Sequence, residues 1–325
     1  MSYSVTQETF ASLASYWKSG PPARWNSIFV LPVWLEVWWQ QFRPETELFL
    51  RAVRGENGVI GIAPLQVKEK TGLFVGNTDV CDYDDFVVAP GRDREFFTAL
   101  IDELRKKNIT SLELKHLRPD STVITKLVEL APALGCKIEC RPDAVSLEMD
   151  LPSTWEEYLA SLTSKQRHEV GRKLRRLEEM GKVSYRTLAD GAAIEASLDM
   201  FLKLFSESRR DKAAFLTPAI ESFFRSMAQR MAQEGLLRLG VLELDGVPTA
   251  MVMCFDYNGT IYLYNSGYDP QYNYLSAGML CKVLCIKESI QLGRKKFDFL
   301  KGAETYKYHL GGKEVPLSVC RIDIE

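Results

Sequence analysis

The sequence predicts an α/β fold made of two tandem domains, each with a mixed central sheet flanked by helices. The chain has 325 residues, which is enough for about two domains of ordinary length. Short apolar strands alternate with amphipathic helices along the whole chain. The order hairpin, strand, helix, strand, short helix, strand occurs in both halves. We therefore predict an N-terminal domain at residues 1–150 and a C-terminal domain at residues 151–325.

The first half contains a predicted hairpin, because the apolar runs at 47–54 and 59–67 flank a short turn rich in glycine and asparagine. Gly135 ends the second helix of this half. The elements after the hairpin are a strand at 85–88, a helix at 96–107, a strand at 111–115, a helix at 123–134, and strands at 137–140 and 146–149.

The second half opens with a predicted long helix at 155–181, in which leucine and valine recur at helical spacing and basic residues occupy the other faces. Thr217 and Pro218 mark the beginning of a later helix. Asp245 and Gly246 form the turn of a second hairpin. The elements after the long helix are a strand at 182–187, helices at 194–211 and 218–234, strands at 236–244, 248–257 and 260–265, a helix at 276–292, and strands at 296–300 and 317–324.

Composition argues against several classes of protein. The formal net charge is −2, so no global field favours nucleic acid, and we expect no DNA partner. No apolar run approaches the length of a membrane span. Residues 1–7 lack the charged and apolar regions of a secretory leader, and most of the seven cysteines lie in apolar runs. We therefore expect reduced thiols and a cytoplasmic protein. The histidines and cysteines have no metal-binding spacing, so we expect no metal.

Ser276 begins the helix at 276–292, directly after the third strand of the second half. The first amide groups of a helix have no partner inside the helix and attract anions. Ala277, Gly278 and Met279 complete this corner, and small residues leave room for a phosphate group. We predict that the corner binds a phosphate-bearing donor. The alternative is an ordinary serine cap on a buried helix.

A polar and aromatic cluster follows the strand at 296–300. Asp298, Glu304, Tyr306 and Lys307 supply acidic, basic and hydrogen-bonding groups within a short stretch. Together with the anion-binding corner, this cluster suggests an enzyme that holds a phosphate-bearing donor and transfers an acyl group. The alternative is a surface turn with an exposed Lys–Glu pair, which contributes little to stability.

Three stretches of the chain resemble a known family. The run Gly302-Ala303-Glu304-Thr305-Tyr306-Lys307 after Phe297-Asp298-Phe299-Leu300 resembles the signature DFL-x-G-x-E-x-YK of GNAT-fold acyltransferases of the cellulose-biosynthesis (CelD) type. Residues 162–167 with the basic helix behind them, and the acidic run at 82–85, are similar to the same family. The FemABX aminoacyl transferases, which also have two GNAT-like halves, have a related fold. The corner at 274–279 departs from the simplest GNAT pyrophosphate motif, since it has one glycine and no arginine.

The resemblance implies acyl transfer from acetyl-CoA, or from a longer acyl-CoA, to an amine or a hydroxyl by direct attack. Tyr306 has the position at which GNAT enzymes carry the acid that protonates the leaving thiolate, and Tyr308 is the second choice. Asp298 and Glu304 are the nearest candidate bases, although Asp298 could instead orient the loop. Lys307 could contact a donor phosphate or pair with Glu304.

The end of the strand at 260–265 is a candidate acceptor site. Its last residues and the following Ser-Gly-Tyr-Asp-Pro predict a turn that could open a groove lined by Tyr264, Asn265 and Tyr268. A turn without any ligand role explains the same sequence equally well.

Charged residues elsewhere are further candidates for acceptor binding. Arg209 ends a helix and could bind an acceptor carboxylate or phosphate, or it could interact only with the helix dipole. Asp82 and Asp84 belong to an acidic loop that could bind a cationic acceptor.

Two hypotheses stand beside transfer from acyl-CoA. One is aminoacyl transfer from a charged tRNA, as in the FemABX proteins, and the other is a non-catalytic scaffold. The basic helix at 165–176 contains no interleaved aromatic residues, so we favour a solvated helix face over tRNA binding. In either enzymatic case the acceptor is a small molecule, a glycan or a peptide.

Overall fold

The computed structural model describes residues 3–20, 24–56, 58–76 and 79–324. The chain divides into two compact units. Unit 1 comprises Met1–Val145 with Val315–Glu325, and unit 2 comprises Ser146–Glu314. The first change of unit therefore falls five positions before the domain boundary predicted after residue 150. The last strand belongs to unit 1, whereas the sequence places it in the C-terminal domain.

Unit 1 is a mixed sheet with helices. Its first four strands pair antiparallel in chain order, and the fourth pairs parallel with the sixth. The described strands and α-helices are β1 (Ser4–Gln7), α1 (Phe10–Lys18), α2 (Pro32–Phe42), β2 (Glu47–Gly55), β3 (Gly58–Lys68), β4 (Thr71–Phe74), β5 (Val87–Val88), α3 (Asp93–Lys106), β6 (Ser111–Leu117), α4 (Val128–Leu130) and β7 (Cys136–Asp150), which continues into unit 2.

The core of unit 1 is aromatic. Phe86 makes edge contacts with Phe74, Phe96 and Phe97, and the last two lie on the buried face of α3. The helix predicted at 123–134 is irregular, because π-helical and 3-10 turns flank α4.

The strands of unit 2 have mixed pairing and follow the order β7-β12-β11-β10-β9-β8. Its elements are α5 (Trp155–Ser161), α6 (Ser164–Glu178), β8 (Val183–Leu188), α7 (Gly191–Ser208), α8 (Arg210–Phe215), α9 (Pro218–Gln233), β9 (Leu237–Leu244), β10 (Val247–Tyr257), β11 (Thr260–Tyr268), α10 (Ala277–Gln291), β12 (Lys296–Lys301), α11 (Thr305–His309) and β13 (Lys313–Ile324), which continues into unit 1. Only β11 and β12 are paired parallel, and the other pairs are antiparallel. The predicted α/β fold with mixed sheets flanked by helices is confirmed.

The long helix predicted at 155–181 is wrong in one respect, since it consists of α5 and α6. Leu162 has an extended backbone, and Thr163 begins the second helix. The Thr163 side chain accepts a hydrogen bond from the Gln166 amide, and the Gln166 side chain accepts one from the Thr163 amide. This reciprocal capping box ends one helix and starts the next.

Two further elements differ from the prediction. The strands predicted at 137–140 and 146–149 are a single strand, β7, because the backbone stays extended between them. The helix predicted at 194–211 ends at Ser208, and α8 follows, because Arg209 between them has an extended conformation with φ of −158°.

Cys140 and Cys320 form a disulfide bond, so the prediction of reduced cysteines is wrong for this pair. Their Cα atoms are 4.1 Å apart, although 180 residues separate them in the chain. Their spacing in the sequence therefore does not predict the bond. The remaining cysteines are free and buried, as expected. Within the described ranges, none of the helices is both long and apolar enough to cross a membrane.

Candidate active site

Strands β11 and β12 part from each other at one end, and this parting defines the candidate site. The two strands pair only from Thr260 opposite Lys296 to Tyr262 opposite Asp298. Beyond Tyr262, β11 continues along β10 as far as Tyr268, which pairs with Ala250. Among the described residues, β12 is therefore not paired with residues 263–268 of β11, and we call the space between the two parting strands the wedge. A strand edge without a neighbouring strand can pair with a further extended chain.

Asp298 maintains the bend in β12. Its side chain is 2% exposed, and Oδ1 accepts a hydrogen bond from the Leu300 amide at 2.8 Å. Leu300 has a left-handed backbone with φ of 63°, which is costly for a residue with a branched side chain. The pairing register of β12 also shifts between these two residues. Of its two predicted roles, Asp298 therefore has the geometry for orienting the loop.

Lys307 is buried, and oxygen atoms surround its ammonium group. Nζ donates hydrogen bonds to the carbonyl oxygens of Leu300, Lys301 and Gly302 at 3.0, 2.7 and 3.1 Å. A Glu304 carboxylate oxygen lies 2.9 Å from the same nitrogen. Of the two predicted roles of Lys307, the structure shows the ion pair with Glu304. The contact with a donor phosphate stays a prediction.

Tyr306 lies at the first turn of α11, with a partly buried side chain. Burial, aided by the negative charge of Glu304, raises the pKa of its hydroxyl well above the usual value. The Lys282 ammonium group lies 4.9 Å from the centre of the Tyr306 ring. A phenol with a raised pKa keeps its proton at neutral pH, as a proton donor must.

Tyr308 is less suited to the same role. Its hydroxyl donates a short hydrogen bond to Glu314, and this bond raises the pKa of the phenol. The hydroxyl is therefore engaged on an exposed side of α11, whereas the Tyr306 ring faces Lys282.

The corner at Ser276 differs from a serine cap. Ser276 has a left-handed backbone with φ of 59°, and its side chain makes no capping hydrogen bond, so the capping prediction is wrong. Its carbonyl oxygen instead accepts from the amides of Met279 and Leu280, each at 3.0 Å. The amides of Ala277 and Gly278 precede the first intrahelical donors of α10 and are free to meet an anion.

Packing favours glycine at position 278, in addition to the space that a ligand would need there. A Cβ atom at this position would lie 2.6 Å from Cδ1 of Tyr268, so the start of α10 rests directly on the Tyr268 ring. This contact brings the predicted donor corner next to the open end of β11.

Helix α6 brings two cations to the same corner. Lys173 Nζ lies 3.3 Å from the sulfur atom of Met279, and the Arg176 guanidinium lies 5.8 Å from the centre of the Tyr274 ring. Lys173 also pairs with Glu169 at 2.8 Å. The sequence analysis treated this basic helix as a solvated face. No local spacing shows that residues 106 positions apart meet here.

Two lysines beside the wedge were also missed. Lys212 of α8 donates a short hydrogen bond to the carbonyl oxygen of Ser266, on the open segment of β11. Burial, with the nearby Lys282 charge, lowers the pKa of Lys212 to about 7. Lys282 of α10 is 7% exposed and donates to the carbonyl oxygen of Gly278 at 2.9 Å, and burial lowers its pKa to about 8.

The predicted acceptor residues on β11 lie within the strand, which has a register shift at Tyr264, so the turn predicted from Asn265 begins only after Tyr268. The Tyr264 ring packs 5.3 Å from the Phe255 ring. Asn265 is partly buried and pairs with Met253. Of the predicted acceptor residues on this strand, Tyr268 is the one that lies against the start of α10.

Arg209 lies between α7 and α8 and forms a bidentate salt bridge with Asp211. Its Nε and Nη2 atoms lie 2.9 and 2.8 Å from the two carboxylate oxygens. Its backbone is extended, so it does not lie in the last turn of a helix, where a dipole role would place it. Its role in acceptor binding stays a prediction.

Asp82 and Asp84 lie in unit 1, before β5. Asp84 is buried, and Asp82 is partly buried. Their role in acceptor binding also stays a prediction.

Comparison with known proteins agrees with the geometry of unit 2. Residues 164–308 match the profile of a family described as "Acetyltransferase (GNAT) domain". That range includes α6, the corner at Ser276, both parting strands and Tyr306. A search of curated protein sequences found no match. The CelD type proposed from the tail signature is not confirmed.

Solved structures of similar fold extend over nearly the whole chain. A structure described as that of FemX has a TM-score of 0.68 and 13% identity, covering 98% of this chain and 96% of that one. A conserved protein of unknown function from Bacteroides thetaiotaomicron has a TM-score of 0.62 and 11% identity, with coverage of 98% and 99%. The C-terminal domain of a putative lysylphosphatidylglycerol synthetase from Agrobacterium fabrum has a TM-score of 0.56 and 10% identity, with coverage of 88% and 90%. At these identities the likeness shows the fold alone.

Proposed function

We propose that unit 2 transfers an acyl group from an acyl-CoA, with acetyl-CoA as the first candidate, to an amine or hydroxyl of a small molecule, glycan or peptide. The parting of β11 and β12 directly ahead of α10 carries this proposal. The proposal is supported by the end of β11 that does not pair with β12, by the N-terminus of α10, and by Tyr306, whose ring lies 4.9 Å from the Lys282 ammonium group of α10. The match of residues 164–308 to a GNAT acetyltransferase profile supports the same chemistry.

The donor diphosphate would bind at the start of α10. The amides of Ala277 and Gly278 supply hydrogen-bond donors, and the helix dipole favours negative charge there. Lys173 and Arg176 flank the corner and supply positive charge. The pantetheine arm would then extend beside β11 beyond Tyr262, in the manner of an extended chain added to a strand edge.

The reaction in this arrangement is direct attack. A neutral amine or hydroxyl of the acceptor forms a bond to the thioester carbonyl carbon, and the carbon–sulfur bond breaks. Tyr306 donates its proton to the leaving thiolate, and Glu304 is the nearest carboxylate that can accept the proton of the acceptor. Asp298 holds the bend that carries α11 to this position.

Thermal stabilisation by CoA, acetyl-CoA and a long-chain acyl-CoA tests the donor site. A ligand that binds only the native state raises the melting temperature, and at a hundredfold excess over its dissociation constant the gain is about 2.7 kcal/mol. The ranking of the three ligands gives the acyl preference. Arg176→Gln should weaken donor binding about tenfold, and the exposed neighbour Arg175→Gln serves as the matched control. No stabilisation by any of the three would refute the donor assignment.

Aminoacyl transfer from a charged tRNA is the second candidate, and the exposed basic face of α6 favours it. Lys165, Arg167, Arg172 and Arg175 are all exposed on this helix. A contiguous cationic face binds a phosphate backbone and loses affinity as salt rises. Transfer activity that requires aminoacyl-tRNA and disappears after ribonuclease treatment would support this candidate over acyl-CoA. Together with transfer from acyl-CoA, we propose that the protein is of the CelD type and that it is cytoplasmic.

A further inference from the structure

Lys212 and Lys282 form a pair of desolvated cations beside the open end of β11. Lys282 is almost completely buried, and Lys212 is partly buried with its ammonium group turned inward onto Ser266. Contacts relate the two lysines: Lys212 donates to the carbonyl oxygen of Ser266, two residues before Tyr268, and Lys282 donates to that of Gly278, which lies against the Tyr268 ring. The charge of Lys282 also helps to lower the pKa of Lys212. Two like charges in one partly buried place are costly unless an anion accompanies them.

Among the described residues no carboxylate is bonded to either ammonium group, although Glu304 is near enough for its charge to favour the protonated form of both. Neither ammonium group lies within 4 Å of a carboxylate oxygen, and each donates only to one backbone carbonyl oxygen, those of Ser266 and Gly278. The nearest carboxylates are engaged elsewhere, because Glu304 pairs with Lys307 and Asp211 pairs with Arg209. Each lysine therefore keeps donors for a further acceptor, since an ammonium group has three.

The pair also faces the place where chemistry is proposed. Lys282 lies one turn after Gly278 and 4.9 Å from the centre of the Tyr306 ring. Lys212 holds Ser266, next to Tyr268, which supports the start of α10. An anion between the two lysines would therefore lie beside the proposed proton donor.

We propose that Lys212 and Lys282 bind an oxyanion carried by the acyl acceptor, either a carboxylate or a phosphate. The proposal rests on the acyl transfer proposed above, and it narrows the acceptor to an amine or alcohol with a negatively charged group. Amino acids, peptides with a free carboxylate and phosphorylated sugars or alcohols belong to this class. Neutral sugars and simple amines do not.

Binding of small anions at constant ionic strength tests the site. The probes are L-alanine and acetate for carboxylates, inorganic phosphate for phosphates, and L-alaninamide as the matched probe without a carboxylate. We expect one anion class to raise the melting temperature and L-alaninamide to have no effect. Lys282→Met and Lys212→Met should each weaken anion binding about tenfold or more, because each removes a charged hydrogen-bond donor. Lys287→Met on the same helix should leave it unchanged.

Stability without ligand separates this role from a structural one. Methionine has nearly the volume of lysine without the charge, so Lys282→Met should keep or raise the melting temperature of the free protein. Equal stabilisation of the wild type and both variants by the anions would overturn the proposal, and so would a lack of response in the wild type. Carboxylate and phosphate probes that act equally well would support the site with a general oxyanion specificity.

Acetyl-CoA binding, measured on the same samples, distinguishes failure of this site from failure of the proposed function. Both proposals are supported if acetyl-CoA binds equally well to the wild type and to Lys282→Met, and if only the variant loses anion binding. Acetyl-CoA binding without any anion response overturns the oxyanion site and leaves the acyl transfer. An equal loss of acetyl-CoA and anion binding in Lys282→Met would assign the lysines to the donor and overturn the acceptor site.

Discussion

The Lys307 ammonium group donates a hydrogen bond to the carbonyl oxygen of Leu300 at 3.0 Å, and this bond joins α11 to the strained end of β12. Two further carbonyl oxygens and Glu304 complete the contacts of the ammonium group. One buried charge thus fixes the loop that presents Tyr306. The position of the proposed proton donor therefore depends on Lys307, for which the sequence predicts either a contact with a donor phosphate or a pair with Glu304.

Lys307→Met should therefore destabilise the protein strongly. It leaves three carbonyl oxygens and the Glu304 carboxylate without their cation, and breaking such a buried set typically costs about 3–5 kcal/mol. Urea denaturation of wild type and variant measures the loss. Lys313→Met, at an exposed position nearby, should change the free energy of unfolding by less than about 0.5 kcal/mol. A stable Lys307→Met protein that has lost only CoA binding would instead support the phosphate contact.

Tyr306→Phe should lower the acyl transfer rate about a hundredfold or more, since a positioned general acid contributes about that much. Donor affinity should stay the same, because the hydroxyl acts only on the leaving thiolate. Single-turnover rates and CoA binding are the measurements. Tyr308→Phe is the matched control and should retain activity. The assignment fails if the two variants lose activity equally, or if Tyr308→Phe alone is inactive.

The Cys140–Cys320 disulfide should contribute to the stability of unit 1. Closing a loop across 180 residues restricts the unfolded chain, and Cys140→Ser should lower the free energy of unfolding by about 2–5 kcal/mol. Alkylation in denaturant, followed by mass measurement, tests the bond directly. Without reductant, we expect five of the seven cysteines to react, and with reductant all seven. Seven modified cysteines without reductant would show that the bond is absent.

The elements of unit 2 were predictable because their patterns are local. The boundaries of β9, β10, β11 and α10 agree with the prediction within a few residues, since apolar alternation marks the strands themselves and Asp245-Gly246 and Gly293 lie directly at the ends of the elements that they delimit. The helix broken at Thr163 carried a local signal too, because Thr163 and Gln166 have capping-box spacing.

The remaining parts of the site depend on contacts between distant segments. Lys282 looks like one polar residue between apolar neighbours in the chain, and only the fold shows that it meets Tyr306. Lys173 meets Met279 across 106 residues in the same way. Tyr306 was found because the tail signature is contiguous in the chain.

Lys282 should make stability depend on pH in a window set by its lowered pKa. The pKa is about 8 in the folded protein, against 10.5 for an ordinary lysine, because burial disfavours the charge. Between these values the unfolded chain holds a proton that the folded protein lacks, so the free energy of unfolding rises with pH across the window. Below pH 8 both forms are protonated, and the folded protein bears the full cost of the buried charge.

Lys282→Met should remove this dependence. The variant should exceed the wild type in stability below pH 8 by up to about 3 kcal/mol, and the difference should shrink as pH approaches 10.5. Urea denaturation at several pH values between 7 and 10 measures both proteins, and Lys287→Met should follow the wild type. Glu304 and the thiols of Cys254, Cys281 and Cys285 also influence Lys282, and all of them stay in the variant. Lys212 stays too, and its own lowered pKa adds a rise of stability with pH to both proteins, so the difference between them is the quantity to compare. A difference that stays constant over the whole range would mean that Lys282 does not titrate there and that its charge is stabilised by a partner other than a bound anion.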